Sequence, residues 1–568
     1  MKDRFDIAAD LRTIARLLEI KGENRFKTLA FIRGAEALGS LEGDLDDLVK
    51  DRRLREIPGI GNALSSIIEE IYSTGECWML QQLCQGLPPG VIELSDVPGL
   101  SLKKIIALYD DLRIESVADL KAACKEGLVG NVKGFGTKSQ ARILAGIEKL
   151  ENRDENFLLL NQAVEQAEQI LQHLRTCSEL IDAQVAGALR RRQETIRQIC
   201  IVAASDQPRA VIDRFLGFPP LAHTDELDET RCRGRLAGGL QTELVVVSPD
   251  AYIATLHART GSAKHLAKLQ EISHSRELPY LVECGGGKQR GMGSESEIYQ
   301  HLGLQYIPPE LRQDEGEVEA ASNGTLPQPL ALEDIRGMTH CHTDYSDGRN
   351  SIEEMALAVQ AMGMSYLTIT DHSQSASYAG GLGIDRLRAQ WDEIARVQER
   401  VSIRLLKGTE SDILEDGSLD YPDYLLNQFD IVIASIHARH KMDADQMTRR
   451  LLRALKLPIF KVWGHPLGRL IPSRPPFACR LEEVLDAVAE SRCAIEVNGD
   501  PHRLDLEPHW IRLARNRGIK FIVSTDAHSI AGLANLPVGV SMARRGWLMR
   551  GEVLNTLGVE DFMRAIHP

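Results

Sequence analysis

Between residues 336 and 526 seven short apolar runs alternate with stretches of helical period, and this alternation limits the fold more than any other feature of the chain. The runs begin near residues 336, 366, 404, 431, 460, 494 and 521; Ile352 to Met362, Leu387 to Arg400, Gln446 to Leu455, Leu481 to Glu490 and Trp510 to Arg517 are among the intervening stretches. Strands apolar on both faces and separated by single helices predict a parallel sheet with crossover helices. Barrels of that kind place their chemistry at the C-terminal ends of the strands.

Those ends carry nine side chains of metal-ligand type: His340, His342 and Asp347 after the first run, then His372, Glu410, His437 and His465, and finally Asp526 and His528. A single histidine in such a place is more often packed or capping than ligating. Nine together, all imidazole or carboxylate with no thiolate required, suit zinc, manganese or iron. The number exceeds what one ion can use and predicts a cluster of two or three divalent ions, an arrangement that stabilises both the attacking and the leaving oxygen of a phosphoester.

At 568 residues the chain is expected to hold three to five domains. Its start, Met-Lys-Asp-Arg-Phe-Asp-Ile, is charged, and no apolar stretch approaches the roughly 20 residues that span a bilayer, so no membrane partner and a cytoplasmic location are expected. Ten cysteines without a Cys-x-x-Cys pair read as free thiols in a reducing compartment. The net charge of −14 argues against nucleic-acid binding through bulk electrostatics, although residues 1–150 are nearly balanced.

Binding through backbone amides needs no basic surface, and the N-terminal region carries the residues for it. Glu56-Ile-Pro-Gly-Ile-Gly61, Asp96-Val-Pro-Gly-Leu-Ser101 and Val132-Lys-Gly-Phe-Gly-Thr-Lys138 are three copies of one turn, each followed by an apolar-periodic stretch. Gly59, Gly61, Gly99, Gly134 and Gly136 let the chain bring N–H groups against a phosphate, and the following helix adds its dipole. The second copy has Ser101 in place of its last glycine. These turns resemble helix-hairpin-helix units, which grip the sugar-phosphate backbone without reading sequence.

Residues 335–568 resemble the polymerase and histidinol phosphatase (PHP) family of metal-dependent phosphoesterases, whose fold is a distorted (β/α)7 barrel. The resemblance implies that His340, His342, Glu410 and Asp526 hold one ion, that Glu410 bridges to a second bound by His437, and that Asp347, His372, His465 and His528 serve the remaining positions. Leu18 to Phe31, Thr260 to His265, Glu297 to Tyr299 and Tyr306 to Arg312 resemble X-family DNA polymerases. Residues 1–80 are then an N-terminal helical domain with a hairpin, 81–150 a fingers-like hairpin domain, 151–250 a nucleotidyltransferase-like palm, 251–320 a thumb and 321–334 a linker, overlapping a polar stretch from about Asp314 to Gln328.

The polymerase chemistry does not carry over. Nucleotidyl transfer needs three carboxylates around two magnesium ions. Where the family has a Gly-Ser-x-Arg-Arg stretch closing on Gly-Asp-x-Asp, this chain has Ala188, Arg197, Gln198 and Cys200, which leaves only Glu243 as a candidate. No amine stands in Ser65 to Glu69, where a lyase would need one. The expected activity is that of a DNA-repair, metal-dependent nuclease: a 3′-5′ exonuclease, abasic endonuclease or 3′-end-processing enzyme. It would act as a monomer on gapped, 3′-ended or abasic duplex, with Glu410 and His437 at the centre and Asp371, at the rim, protonating the leaving group. The alternatives are an active gap-filling polymerase, a small-molecule phosphatase of the histidinol-phosphate type, and a non-catalytic DNA-binding scaffold.

Overall fold

The computed structural model describes residues 4–23, 25–39, 45–50, 52–57, 59–85, 87–88, 90–95, 97, 100–151, 157–236, 239–278 and 293–567. They belong to two compact units, Met1–Asn156 and Phe157–Pro568.

The first unit is helical. In the helix Arg4–Ile20 the residues Ile7, Leu11, Ile14 and Leu18 recur at the spacing of one helix face and are fully buried, against Ile68 and Ile71 of the helix Asn62–Thr74. A second core joins Leu94, Ile105, Leu108, Leu120, Val129 and Ile147. No described helix is long and apolar enough to cross a membrane.

The second unit opens with a five-stranded sheet: β1 (Asp182–Ala186), β2 (Gln198–Ala204), β3 (Leu221–Leu227), β4 (Arg231–Leu236) and β5 (Gln241–Val247), in the order β1-β2-β5-β4-β3. Strands β2 and β5 are parallel and place Cys200 beside Glu243. A helical region follows, built on Pro249–Thr260, Ala263–Ser275 and Glu295–His301. Part of the stretch expected as a linker belongs to this region: the helix Glu317–Ser322 buries Val318 and Ala321, and Glu317 accepts from the backbone N–H groups of Asp314 (2.8 Å) and Glu315 (2.6 Å) and pairs with His265 at 2.6 Å. Its polar composition reads as a linker because the Glu317 carboxylate, which turns inward to bind these N–H groups, looks in sequence like one more solvated charge.

The last part is a sheet of seven parallel strands in sequence order, namely β6 (Gly337–Met338), β7 (Tyr366–Ile369), β8 (Arg404–Asp412), β9 (Ile431–Ser435), β10 (Lys461–Trp463), β11 (Cys493–Asn498) and β12 (Phe521–Ser524). The sheet nearly closes on itself. At its C-terminal end Cys341 bridges Ala527, with His342 N–H donating to Ala527 at 2.8 Å. Farther down, the Asn555 side-chain amide donates to the carbonyls of Gly337 (3.0 Å) and Val523 (2.7 Å) and accepts from Val523 N–H (3.0 Å). One side chain thereby supplies hydrogen bonds that a missing strand would have made.

The opposite end is plugged by the helix Val559–Ile566, whose Phe562 stacks on Tyr366 with ring centroids 4.8 Å apart, over Leu406, Ile433, Val462 and Ile522. Phe562→Ala is expected to destabilise this unit by about 3–5 kcal/mol, the usual cost of deleting a buried aromatic. Chemical denaturation would measure it, and a change below about 1 kcal/mol would show that the plug does not support the barrel.

Candidate metal centre and nucleic-acid-binding turns

All nine ligand-type residues come together at the C-terminal mouth of the barrel. Glu410, near the end of β8, is buried at its centre. Its Oε1 lies 2.9 Å from His465 Nε2 and 3.2 Å from His437 Nε2; its Oε2 lies 3.0 Å from His372 Nδ1 and 3.5 Å from the Nε2 atoms of both His340 and His342. Asp526 Oδ1 is 3.1 Å from His342 Nε2 and 3.4 Å from His340 Nε2. Asp347 stands 3.4 Å from His528 Nε2, 3.6 Å from His372 Nε2 and 3.7 Å from His342 Nδ1. Three groups offer atoms within 4.8 Å of one another: His340, His342, Glu410 and Asp526; His372, Glu410 and His437; His342, Asp347, His372 and His528.

The donor set fits divalent cations. Glu410 Oε2, His342 Nδ1 and His372 Nδ1 are buried and make no well-aligned hydrogen bond, although buried polar atoms are normally paired. The mouth is open on the side of Asp347 and His528, whose side chains are 35% and 39% exposed. Two of the nine hold backbone in the left-handed region: His465 at φ +24° and Asp526 at φ +50°. Such strain concentrates at functional sites.

The electrostatics follow from crowding. Burial lowers the His342 pKa to about 3, helped by the rings of His372 and His528. Burial acts the same way on His437 and His528, but Glu410 and Asp412 raise the first to about 9, and Asp347 with Asp526 raises the second to about 9. Glu410 is pushed up by burial and held far below the usual carboxylate range by His437, His372 and His340. Without cations, part of the imidazole set is protonated to balance the carboxylates.

Residues that the sequence left unassigned orient this cluster. Glu496 on β11 accepts from His340 Nδ1 at 2.6 Å, from Ser524 Oγ at 2.5 Å, from Asn498 Nδ2 at 3.1 Å and from the His465 N–H. Asp412 sits 2.6 Å from His437 Nδ1 and accepts from Ser375 Oγ at 2.8 Å. Each fixes which ring nitrogen faces the cluster. A signal existed for both: Asp412 follows Glu410 by two residues and so shares its strand face, and Glu496 is a lone charge inside an apolar run. Arg503 was also missed; its Nε lies 3.1 Å from Asp526 Oδ2, while its Nη1 is buried and unpartnered.

Asp371 is not at the rim. It is 2% exposed, and its carboxylate accepts from Thr343 N–H (2.8 Å), Thr343 Oγ1 (2.7 Å), Gln390 Nε2 (2.6 Å) and the Ser346 hydroxyl. Burial raises its pKa to about 6 against the pull of Ser346 and Thr343. Its oxygens are occupied in anchoring the loop that carries Asp347, which leaves none to deliver a proton.

In the five-stranded sheet Glu243 is buried among arginines. Arg231 Nε and Nη2 both lie 2.6 Å from its Oε1, Arg233 Nε lies 3.5 Å from that oxygen, and Arg259 Nη1 lies 3.3 Å from Oε2. Gln198 donates to Oε2 at 3.3 Å, and burial raises the neighbouring Cys200 thiol to about 12. The loop before β2 docks on the barrel: Glu194 is 3.1 Å from Arg469, and Arg545 reaches the Arg192 carbonyl at 3.3 Å.

In the N-terminal unit, Ile60 N–H bonds to Ile57 at 3.1 Å and Phe135 N–H to Val132 at 2.9 Å, closing turns with Gly59 at φ +92° and Gly134 at φ +93°. Those two glycines are needed for the turn itself. Gly61 and Gly136 are not: neither has a left-handed φ, and a Cβ at either would meet nothing within 4 Å. The missing side chain therefore serves nothing inside the protein and leaves the N-termini of the helices Asn62–Thr74 and Thr137–Glu151 open to approach. In the middle copy Leu100 N–H bonds to Val97 at 3.1 Å and Ser101 caps the helix Leu102–Leu112 with extended backbone, while Gly99 lies outside the described residues.

Comparison with known proteins gives three domain matches: a helix-hairpin-helix domain at residues 3–77, a DNA polymerase beta thumb at 255–313 and a PHP domain at 339–500. The chain is 35% identical over 563 residues to the DNA polymerase/3′-5′ exonuclease PolX of Bacillus subtilis, covering 98% of both chains. It is 28% identical over 231 residues to a probable phosphatase of Thermoanaerobacter sp., 38% of this chain and 89% of that one. A probable phosphatase of Caldicellulosiruptor bescii matches at 28% over 209 residues, 35% of this chain and 82% of its own.

Because Asp412 fixes the orientation of His437, Asp412→Asn is expected to lower divalent-cation affinity by about 10–100-fold. Calorimetric titration with manganese would measure this, and an unchanged affinity would show that Asp412 has no part in the centre.

Proposed function

Since the chain belongs to the bacterial X-family DNA polymerases with a fused PHP domain, the family of DNA polymerase/3′-5′ exonuclease PolX, we propose that it is a DNA-repair nuclease that hydrolyses phosphodiesters at 3′ ends and at abasic sites, and that it does not polymerise. The observation that carries the reading is the convergence of His340, His342, Asp347, His372, Glu410, His437, His465, Asp526 and His528 on one buried mouth with unpartnered ligand atoms.

Two or three divalent ions, manganese first among the candidates, would be held there. Glu410 would face two of them, with His340, His342 and Asp526 on its Oε2 side and His437 and His465 on its Oε1 side; Asp347, His372 and His528 would complete the open side. Such ions activate water at neutral pH and neutralise phosphate charge. The protein's own part is orientation: Glu496 and Asp412 fix His340 and His437, Asp371 holds the loop of Asp347, and the free Nη1 of Arg503 offers a donor to a phosphate oxygen.

The loss of polymerisation rests on Glu243. Three guanidinium groups already surround the one carboxylate, so a dication entering there meets net positive charge. Template-directed extension of a primed gap is expected to be absent. Extension by the wild-type protein that Glu243→Ala abolishes would overturn this and restore the gap-filling reading.

Duplex DNA would be held by the turns at Gly59 to Gly61 and Gly134 to Gly136. Gly61→Val together with Gly136→Val should weaken duplex binding about equally for all sequences, because side chains would stand where phosphates approach. Gel retention on unrelated duplexes measures it, and a loss confined to one sequence would contradict backbone gripping.

For the cluster, Glu410→Ala should lose more than one equivalent of bound metal and His528→Ala about one. Cleavage of 3′-recessed and abasic duplexes should vanish in both variants and in chelator, and return with manganese only for the wild type. DNA retention should persist throughout. Full cleavage by Glu410→Ala would sink the hydrolytic reading; wild-type turnover of a small phosphomonoester with no cleavage of DNA would favour the phosphatase alternative.

A further inference from the structure

One side chain at the mouth of the barrel has no structural task. Tyr378 lies in the short 3-10 turn Ser377–Ala379 between β7 and the helix Ile384–Gln398. It is 69% exposed, while Ala376 and Ala379 on either side are buried and fasten the turn to the barrel. Its ring centroid is 6.1 Å from that of His372 and 6.3 Å from that of His437, and its plane is inclined to theirs by 60° and 65°, so neither imidazole lies flat on it. A lone exposed aromatic is unremarkable on most of a protein surface. This one borders two side chains of the proposed cluster.

The loop that presents it is firmly tied. Ser375 N–H donates to Asp420 Oδ2 at 2.6 Å, Ser375 Oγ to Asp412 Oδ2 at 2.8 Å, and Gln374 Nε2 to the Asp420 carbonyl at 3.1 Å. Gly381 N–H donates to Ala376 at 3.0 Å, Leu382 N–H to His372 at 2.9 Å, and Arg386 Nη1 to Gly380 at 2.8 Å. A Cβ on Gly381 would stand 2.0 Å from the Ser373 carbonyl oxygen, so the glycine lets the loop fold back on itself. The backbone that carries the tyrosine is therefore fixed before any substrate arrives, and an aromatic with only two side-chain torsions left to order binds a second flat ring with little loss of entropy.

We infer that Tyr378 is a stacking platform for the base of the 3′-terminal nucleotide, which adds preference for a base-bearing end to the cleavage proposed above and argues against a small phosphomonoester as substrate. This rests on the hydrolytic reading above and adds to it the recognition of the nucleotide being removed. A phosphate near Arg503 and a base on Tyr378 would engage the two chemically distinct ends of one nucleotide. Every base has a flat face, so the contact would select a base without selecting which one.

The test uses the full chain with a duplex whose 3′-terminal base is 2-aminopurine, whose fluorescence falls when it stacks, and compares wild type with Tyr378→Phe and Tyr378→Ala. Quenching on binding is expected for wild type and Tyr378→Phe and absent for Tyr378→Ala, at equal occupancy set by gel retention. In parallel, kcat/KM is measured for a 3′ end carrying a base and one carrying an abasic residue. The preference for the base-bearing end should fall about tenfold in Tyr378→Ala, mainly through KM, and be kept by Tyr378→Phe and Tyr378→Trp. Equal quenching by Tyr378→Ala, an unchanged preference, or equal losses on both ends would overturn the inference. Tyr378-dependent quenching without cleavage of either end by manganese-loaded wild type would leave the platform standing and remove the nuclease reading instead.

Discussion

A carboxylate buried at the mouth of a barrel is the constraint around which the rest of this structure is arranged. Taking one ionised carboxylate out of water costs several kcal/mol unless partners compensate it. Glu410 is 1% exposed, and five imidazoles lie within 3.5 Å of its oxygens. No single strand or helix could bring them there; His340, His372, His437 and His465 each follow a different strand, and only a closed parallel sheet aims all those ends at one point. The strain at His465 and Asp526 belongs to the same solution. The His465 N–H is held by Glu496, and Asp526 precedes the Ala527 bridge to Cys341, so barrel closure and ligand orientation depend on the same residues.

Glu243 presents the same electrostatic problem with the opposite answer. It too is a buried carboxylate on a parallel strand, but its neighbours are guanidinium groups, which carry fixed charge and cannot serve as ligands. Imidazoles around Glu410 can shed protons and take up a cation, and their spread from about 3 for His342 to about 9 for His437 reflects their different neighbours, other imidazoles for the first and the carboxylates Glu410 and Asp412 for the second. Arginines around Glu243 cannot rebalance. Two sites that both neutralise a buried negative charge thus do so with different chemistry, one with imidazoles of metal-ligand type and the other with guanidinium groups that cannot ligate.

The barrel was legible because its strands need two apolar faces and their ends need polar residues, and both demands write themselves into consecutive residues. The nine polar positions at those ends could be read for that reason. What supports them could not: Glu496 and Asp412 look like charges inside a strand until folding shows that they face His340 and His437. Asp371, adjacent to His372 and in a polar run, looked like an exposed acid; four donors from Thr343, Ser346 and Gln390 turn it into a buried anchor. The arginine closure of Glu243 was equally hidden, since Arg231 and Arg233 meet it only through the antiparallel pairing of β4 with β5, and Arg259 reaches it from a separate helix. Gly61 and Gly136 were readable as turn residues, yet only the empty space beside them shows that the fold itself does not require a glycine there.

The polymerase-like part remains mechanically joined to the barrel. Glu194, in the loop where the catalytic aspartates of the family would follow, pairs with Arg469 at 3.1 Å. Arg469 in turn holds the carbonyl of Arg503 at 2.7 Å and that of Leu504, and Arg503 reaches Asp526 at 3.1 Å. Arg544 with Glu310 at 2.9 Å and Arg512 with Glu315 at 2.8 Å add two further ties between the barrel and the thumb-like region. Buried or half-buried ion pairs contribute little net stability but are costly to break one-sidedly, and so they fix geometry more than they add energy. A chain of fixed contacts therefore runs from the loop before β2 to Asp526 at the mouth of the barrel, so the five-stranded sheet helps to hold the residues around that mouth in place.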